Sequence, residues 1–200
     1  MPDLTCRMYA IVADDIHPNK IAIHVALALQ SYNNKMFDTE EEIARGLKLS
    51  HQEYYTHGAF KQWTKDKDLV LLKESKTTRI ISESKTNNKS TLKNSLSVFN
   101  KKQIETGTYY APEFGNELTC VVFVADERAY NEKDYPDFGT FLSKHKDIID
   151  TFEKNRTYES IVQEIKTNRS TVYLDWVRSI GGVRNEFLRE FIKELSEITN

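Results

Sequence analysis

Two runs of apolar residues, one in each half of the chain, share a composition and an ending. The first is LTCRMYAIVADD at residues 4–15, and the second is LTCVVFVADE at residues 118–127. Both are rich in β-branched and aromatic residues, and both end in Ala-Asp followed by an acid. Short runs of this kind are typical of β-strands. The pattern therefore predicts one strand near the start of each half.

Each predicted strand is followed by a segment with room for one helix. In the first half, Ile21, Val25, Ala28 and Tyr32 lie near helical spacing within residues 18–34. This segment is apolar nearly all round, so it predicts a buried helix, with a strand as the alternative. In the second half the segment is 138–155, with an apolar face formed by Phe141, Ile148, Ile149 and Phe152.

A polar break divides residues 157–180 into two short amphipathic segments. Thr157 is a good N-cap for the first segment, and Ile161 and Ile165 give it one apolar stripe. The break is TNRST at 167–171, where Asn168 or Ser170 can cap the second segment. Two helices joined by about three residues cross steeply, which predicts a helix-turn-helix. Its second helix is expected to bury Val172, Trp176 and Ile180 and to expose Arg169, Ser170, Thr171 and Tyr173.

Residues 39–63 repeat this plan without gaps, which predicts an internal duplication. Asp38 or Thr39 is expected to cap a short helix, and Ser50 to cap the next one. The apolar residues expected to pack are Ile43, Ala44 and Leu47 on the first helix and Tyr54, Tyr55 and Trp63 on the second, while His51, Gln52, Thr56 and Lys61 are expected to be exposed. Plain helical hairpins inside a mixed core are the alternative interpretation.

The segment after the first motif predicts a β-hairpin over residues 69–83. LVLLKE and RIISE are its two arms, and SKTT is the turn. A helix-turn-helix followed by such a hairpin is a winged helix. In the second half no wing is evident, and residues 183–196 instead predict an amphipathic helix with Phe187, Phe191 and Leu195 on one stripe, through which a homodimer could form.

These elements together predict an α+β, mostly helical protein built from two winged-helix or helix-turn-helix units. The first domain covers residues 1–83, and the second, with the C-terminal amphipathic helix, covers residues 116–200. Residues 84–115 are predicted to be a polar linker or mobile loop, because SESKTNNKSTLKNS at 82–95 has a loop composition. LSVFN at 96–100 is read as a strand that docks on one domain.

The charge distribution points to a phosphate-bearing partner. The whole chain carries −2, yet residues 60–103 contain eleven Lys or Arg and four Asp or Glu, a balance of +7 that leaves −9 elsewhere. A solvated linker would show the same composition. The residues predicted to contact DNA are Ser50, His51, Gln52 and Lys61 in the first motif, Lys73, Lys76 and Arg79 in the wing, and Asn168, Arg169, Ser170, Thr171, Tyr173 and Arg178 in the second motif.

The strand, helix and TEEEIARGLKLS motif of the first half resemble plasmid and phage replication initiators of the Rep type. The stretch HPNKIAIHVALALQSYNNKMFDTEEEIARGLKLS, residues 17–50, resembles their first domain in particular. The resemblance implies binding of double-stranded, iteron-like DNA, with one domain serving dimerisation and the other reading sequence. It favours a role in replication initiation or in transcription regulation.

A second resemblance leads to a different class of function. MYAIVADDIHPNKIAIHVALALQSY, residues 8–32, has a strand-loop-helix outline similar to that of type 2 peptidyl-tRNA hydrolases. Lys20 matches the lysine that opens the family's helix, while Asn19 and His24 stand where its glycine and glutamine would be. Residues 155–177 could then form a helix and strand at the domain's end. This resemblance implies hydrolysis of N-blocked aminoacyl-tRNA that depends on Lys20.

Known catalytic signatures do not occur in the chain, which favours a non-enzyme without cofactor or metal. HExxH, GxxxxGK[ST], GxSxG and GxGxxG are all absent. The paired acids Asp14-Asp15 and Asp126-Glu127 could hold Mg²⁺, but such acids are usually turn residues. Two cysteines outside any CxxC pair, and a longest apolar run of 21–29, favour a cytoplasmic protein without a membrane span. A non-enzymatic inhibitor that presents an acidic surface to a protein partner is the third class left open.

Overall fold

The two predicted strands form, and they are neighbours in one sheet. The computed structural model of the protein describes residues 4–73, 91–152 and 155–197. The sheet has the order β3-β4-β1-β2-β5, in which β1 pairs antiparallel with β4 and parallel with β2. The strands are β1 (Cys6–Val12), β2 (Asp68–Lys73), β3 (Gly107–Ala111), β4 (Glu117–Asp126) and the short β5 (Ser196–Glu197).

The helices of the described residues fall into two sets. Those that accompany the sheet are α1 (Pro18–Ala44), α2 (His51–Asp66) and α3 (Thr91–Lys101). The others follow β4 in the chain and are α4 (Phe138–Leu142), α5 (Lys146–Ile149), α6 (Tyr158–Thr167), α7 (Thr171–Ser179) and α8 (Val183–Glu194). The predicted helix over 138–155 is thus two short helices with a break between them.

Both faces of the sheet are covered, which explains why β1 and β4 are apolar at most positions. Alternate residues of β1, including Met8 and Ala10, pack on one face against Val25 and Tyr32 of α1. On the other face the Tyr9 ring stacks on Phe123 with 5.4 Å between ring centroids. A strand buried on both sides needs side chains of low polarity throughout, so alternation is lost.

Helix α1 is longer than the sequence pattern indicated. It runs without a break through Asp38 and Thr39, so neither residue caps a second helix. The helix ends just before Gly46, whose φ of 75° lies in the left-handed region that glycine adopts at little cost. Because the last turns of α1 extend beyond the core, Ile43 and Leu47 are exposed rather than packed.

A non-helical segment separates α1 from α2, and α2 begins where the pattern predicted. Ser50 is the N-cap of α2, and it forms a capping box with Glu53 in which each side chain accepts from the other residue's backbone N–H. Within α2 the predicted pattern is only partly right. Thr56 is buried although exposure was expected, while Tyr54 is 60% exposed although burial was expected.

In the second predicted motif, two helices form on either side of the polar break. Thr157 caps α6, its hydroxyl accepting from the N–H of Ser160, and α7 begins directly after Ser170. The two helices and α4 enclose their own apolar core, in which Phe138 contacts Tyr173 and Trp176 edge-on or tilted. The predicted alternative of a strand within residues 155–177 is therefore wrong. The buried members of this core are Phe138, Leu142, Ile161, Ile165, Val172, Tyr173, Trp176, Val177 and Ile180.

The segment predicted to be a linker at 84–115 contributes regular structure to the sheet unit. LSVFN at 96–100 lies inside helix α3, so its prediction as a strand is wrong. Phe99 packs against Phe123 of β4 at 5.0 Å, and residues 107–111 form the edge strand β3. The burial of Leu92 and Phe99, seven residues apart, accounts for a helix here.

Of the predicted wing, the described residues contain the first arm only. β2 is the first predicted arm, but it lies inside the sheet between β1 and β5, and β5 pairs with Leu72 and Lys73 at the end where a hairpin would close. The second arm, residues 79–83, falls outside the described residues. The strand therefore belongs to the sheet rather than to a winged-helix domain.

Two compact units result, with boundaries that differ from the predicted ones at 83 and 116. The first comprises residues 1–127 together with 190–200, and the second comprises residues 128–189. The prediction of an α+β fold is confirmed, while a duplicated winged helix is not. In the parts of the chain that the structure describes, no helix combines the length and apolarity needed to cross a bilayer.

Candidate functional site

Lys20 and His24 lie one helical turn apart on the same face at the start of α1. His17 caps the helix, its Nδ1 accepting from the N–H of Asn19 at 3.3 Å, and Pro18 fixes the first turn. Residues four apart on a helix project side by side. The sequence therefore places an ammonium and an imidazole together near the positive end of the helix dipole.

The connection between β3 and β4 brings a carboxylate to this face. Residues 112–114 form one turn of 3₁₀-helix that carries Glu113, and Gly115, with φ of 67°, ends the turn. Close contact between α1 and β3 makes the meeting possible. A Cβ on Gly107 of β3 would lie 2.6 Å from the Cβ of Tyr32 and would also meet the carbonyl oxygen of Ala28.

Lys20 and His24 converge on one carboxylate oxygen of Glu113. The Nζ of Lys20 lies 3.4 Å from Oε1 of Glu113, and Nε2 of His24 lies 3.6 Å from the same oxygen. Lys20 and Glu113 are about half exposed, whereas the side chain of His24 is 1% exposed. A bound molecule can thus reach the ammonium and the carboxylate, with the imidazole beneath them.

Aromatic rings surround the imidazole. His24 makes edge contacts with Tyr109 at 5.1 Å and with Phe114 at 6.4 Å between ring centroids, and Lys20 lies over the Phe114 ring at 5.4 Å. The Nδ1 atom of His24 is buried and has no hydrogen-bond partner among the described residues. A buried nitrogen without a partner is uncommon, and such atoms occur at functional sites.

The electrostatics favour an ionised Glu113. The pKa of Glu113 is lowered from its ordinary 4.5, first because its own backbone N–H donates to the carboxylate and next because the Lys20 ammonium does so. A carboxylate that is charged at neutral pH can accept a proton, and the neighbouring ammonium can stabilise a developing negative charge. The cluster of Lys20, His24 and Glu113, called here the Lys20–Glu113 site, thus places an ionised carboxylate beside an ammonium and an imidazole.

The DNA-contact residues predicted in the first half lie on separate elements of the sheet unit. Lys61 is paired with Glu40 at 3.0 Å and Lys73 with Asp14 at 2.8 Å, while Ser50 is engaged in its helix cap. His51 and Gln52 begin α2, but their side chains are outside the described set, as are Lys76 and Arg79 altogether. Carboxylates thus already neutralise both described lysines.

The residues predicted in the second motif are brought together at the corner between α6 and α7. Asn168, Arg169 and Thr171 are exposed there, with Ser170 half-buried at the N-cap of α7. Tyr173 was expected to point outward, but it is buried against Phe138 and donates from its hydroxyl to Glu186.

The two basic residues of this motif have acidic neighbours. Arg169 lies 3.9 Å from Glu186, which limits its availability to phosphates. Arg178 is exposed at the end of α7 and is paired with Asp175 at 2.8 Å.

Cys120 and the acids at the ends of β1 and β4 are buried or already paired. Burial raises the pKa of the Cys120 thiol to about 12, so this cysteine is a neutral core residue rather than a nucleophile. Asp126 is buried and accepts from the Tyr55 hydroxyl, and Asp14 is paired with Lys73. Over residues 4–73, 91–152 and 155–197, no group of three or more potential ligands could hold a metal ion.

Glu113 was missed by sequence reasoning, although its partners Lys20 and His24 were noted. It follows a proline in a turn that has no motif, and 93 residues separate it from Lys20 in the chain. The apolar pairing of β3 with β4 was the signal that could have placed it.

No protein-family model matches the chain, and no curated protein or solved structure shows significant similarity to it.

Proposed function

We propose that this protein hydrolyses the ester bond of N-blocked aminoacyl-tRNA. The observation that carries the proposal is the convergence of Lys20 and Glu113 over the buried His24. The substrate class rests on the resemblance of residues 8–32 to type 2 peptidyl-tRNA hydrolases, in which Lys20 matches the lysine that opens the helix. The convergence supplies that lysine with an acid–base partner.

Each side chain has a defined role in the proposed reaction. The Glu113 carboxylate accepts a proton from a water molecule as the water oxygen attacks the ester carbonyl carbon. The Lys20 ammonium stabilises the negative oxygen of the tetrahedral intermediate. When the bond from carbon to the ribose oxygen breaks, Glu113 returns its proton to that oxygen, giving a free hydroxyl and a carboxylic acid.

His24 is a positioning residue in this scheme. Its Nε2 faces the Glu113 carboxylate and its ring is fixed between Tyr109 and Phe114, so it limits the orientations that Glu113 can take. With only 1% of its side chain exposed, His24 does not contact a substrate directly. Glutamine at this position could retain part of the contact through its amide N–H.

The test is the release of the N-acetylated amino acid from N-acetyl-aminoacyl-tRNA under single-turnover conditions. Lys20→Ala and Glu113→Gln are each expected to lower the rate constant by about 10²- to 10⁴-fold, the usual contribution of a positioned acid–base group. A matched control is the exposed pair of Lys93 and Glu117, whose atoms are also 3.4 Å apart. Lys93→Ala and Glu117→Gln should leave the rate unchanged.

Two results would reject the hydrolase proposal. One is a wild-type protein that releases no more amino acid than buffer does. The other is a hydrolysis rate constant that Lys20→Ala leaves at the wild-type value, just as the control Lys93→Ala does.

A second candidate function, duplex DNA binding, is supported by the corner between α6 and α7. The corner exposes Asn168, Arg169 and Thr171 at the start of a helix, where side-chain donors can contact phosphates or base edges. Paired helix-turn-helix units reading DNA in replication initiation or transcription would be the corresponding role. The burial of Tyr173 and the pairing of the described basic residues with acids make this the weaker candidate.

Gel shifts with duplex DNA over a range of salt concentrations test this candidate. Arg169→Ala should weaken the shift and reduce the salt slope by about one, as loss of one phosphate contact does. Lys146→Ala, which removes an exposed charge from α5, is the matched control. Absence of any shift at low salt would rule out DNA binding.

A further inference from the structure

The short turn that carries Glu113 brings a second side chain to the Lys20 ammonium. Pro112–Phe114 is a single turn of 3₁₀-helix, in which Glu113 and Phe114 are consecutive. The Nζ of Lys20 lies 3.4 Å from the Glu113 carboxylate and 5.4 Å from the centroid of the Phe114 ring, over that ring. A cation within about 6 Å of a ring centroid is attracted by the negative face of the ring. One turn thus offers the ammonium both a charge and an aromatic face.

The position of the Phe114 ring is not explained by burial alone. Phe114 is 38% exposed, which is unusual for a side chain whose main contribution is apolar area. The ring meets the imidazole of His24 at a steep angle, with 6.4 Å between ring centroids. His24 is itself buried and contacts Tyr109 edge-on at 5.1 Å. A fixed imidazole therefore limits the orientation of the Phe114 ring, while Lys20 lies over the ring.

The ion pair with Glu113 is weak by itself as a means of fixing Lys20. Both side chains are about half exposed, and their closest charged atoms are 3.4 Å apart. Exposed ion pairs of this kind contribute little, because ordering a long lysine side chain costs rotamer entropy and water screens the charges. A second contact at the ring restricts the same ammonium further. Because the ring is uncharged, this contact does not neutralise the ammonium.

We propose that Phe114 is a positioning residue that holds the Lys20 ammonium beside the Glu113 carboxylate. The attraction comes from the ring quadrupole, so the positive charge of Lys20 stays available to stabilise a negative oxygen. This role differs from that of His24, which limits the orientations of the Glu113 carboxylate. The effect on catalysis rests on the proposed hydrolase function, whereas the contact between the ring and the ammonium does not.

NMR of the full chain with isotope-labelled lysine tests the contact without any substrate. Protons above the face of an aromatic ring are shifted upfield. The ε-methylene protons of Lys20 should therefore resonate upfield of those of Lys93, whose pair with Glu117 has the same 3.4 Å separation. Replacing Phe114 by a trifluorinated phenylalanine nearly keeps the ring shape but removes most of its quadrupole. This replacement should reduce the upfield shift and lower the equilibrium constant for the contact by about two- to fivefold.

Single-turnover hydrolysis of N-acetyl-aminoacyl-tRNA tests the consequence for catalysis. The trifluorinated residue at Phe114 should lower the rate constant by about two- to fivefold, in parallel with the loss of the contact. Phe114→Trp should retain at least the wild-type rate, because indole attracts cations more strongly than benzene does. The matched control places the trifluorinated residue at Phe37, which is 61% exposed near the other end of α1. This control should change neither the Lys20 signal nor the rate constant.

The two readouts separate failure of the positioning role from failure of the hydrolase proposal. A Lys20 signal that does not respond to fluorination of Phe114, or that responds equally to fluorination of Phe37, would overturn the positioning role. Hydrolysis that depends on Lys20 but is unchanged by fluorination of Phe114 would also overturn it, while the hydrolase proposal would stand. A Lys20 signal that responds as expected, in a wild-type protein that releases no amino acid, would support the contact and reject only the hydrolase proposal.

Discussion

At the scale of single residues, Lys20 influences the ionisation of Glu113. The pKa of Glu113 lies below its ordinary value mainly because its own backbone N–H donates to the carboxylate; desolvation opposes this, and the hydrogen bond from Lys20 lowers the pKa further. Lys20→Ala should therefore raise this pKa toward 4.5 without the backbone contribution being lost. Carbon-13 NMR titration of the Glu113 carboxyl in both proteins measures the shift, and Lys93→Ala should leave the titration of Glu113 unchanged.

The lowered pKa of Glu113 also predicts how the stabilising contact between Lys20 and Glu113 depends on pH. Because the folded-state pKa of Glu113 is depressed, its contribution to stability is present above pH 4.5 and is lost as the pH falls through the folded value. The difference in unfolding free energy between wild type and Lys20→Ala should thus be constant near neutrality and shrink in acid. Urea titrations at pH 7 and pH 3 measure it, and a difference that grows in acid would contradict the assigned contact.

Sequence reasoning can place residues that are close in the chain, but not those that meet through the fold. Lys20 and His24 could be paired from helical spacing alone, because α1 forms where the pattern indicates. Glu113 reaches them only because β3 packs against α1, which no local pattern shows. Tyr173 illustrates the opposite error, since its helical position suggested exposure while the neighbouring Phe138 buries it.

At the scale of elements, the contact between α1 and β3 is what assembles the Lys20–Glu113 site, and Gly107 permits it. A methyl group at Gly107 would collide with the backbone of α1 at Ala28 and Tyr32. Gly107→Ala should therefore destabilise the protein by about 1–3 kcal/mol, the usual cost of overpacking, and move β3 away from the helix. Urea unfolding followed by circular dichroism measures the change.

Gly58→Ala provides the matched control for this substitution. Gly58 lies in α2, and a Cβ there would meet no atom within 4 Å. Alanine favours helices over glycine by about 1 kcal/mol, so this variant should be slightly more stable than wild type. Equal destabilisation by both variants would show that the close approach of α1 and β3 is not what Gly107 supports.

The limits of local patterns are clearest where helices begin and end. Thr39 has the character of a cap, but the residues before it are already helical, so the helix continues until Gly46. Ser50 and Thr157 were identified correctly because no helix precedes them directly and each supplies an oxygen to an N–H in the first turn. β2 was recognised as a strand, but its parallel pairing with β1 is a non-local choice that the sequence did not reveal.

At the scale of the whole molecule, the two predicted halves do not each contain a complete core. β4 lies between β3 and β1, so residues 1–83 lack the strand that pairs along the full length of β1. Part of the C-terminal segment also belongs to the sheet unit, where Phe191 packs against Phe99 at 4.8 Å. The apolar stripe predicted to form a homodimer through residues 183–196 is therefore covered in part within the chain itself.

A comparison of two fragments tests this architecture. Residues 1–83 alone would lack β4, which pairs with β1 along its full length, and such a chain is expected to show no cooperative unfolding transition. Residues 128–189 include all nine buried residues of the second core, and this fragment is expected to retain helical circular dichroism and to unfold cooperatively. A duplication of two independent domains predicts instead that residues 1–83 and 116–200 fold separately. Cooperative folding of residues 1–83 would favour that interpretation again. It would show that β1, paired with β2 alone, is sufficient to support a core without β4.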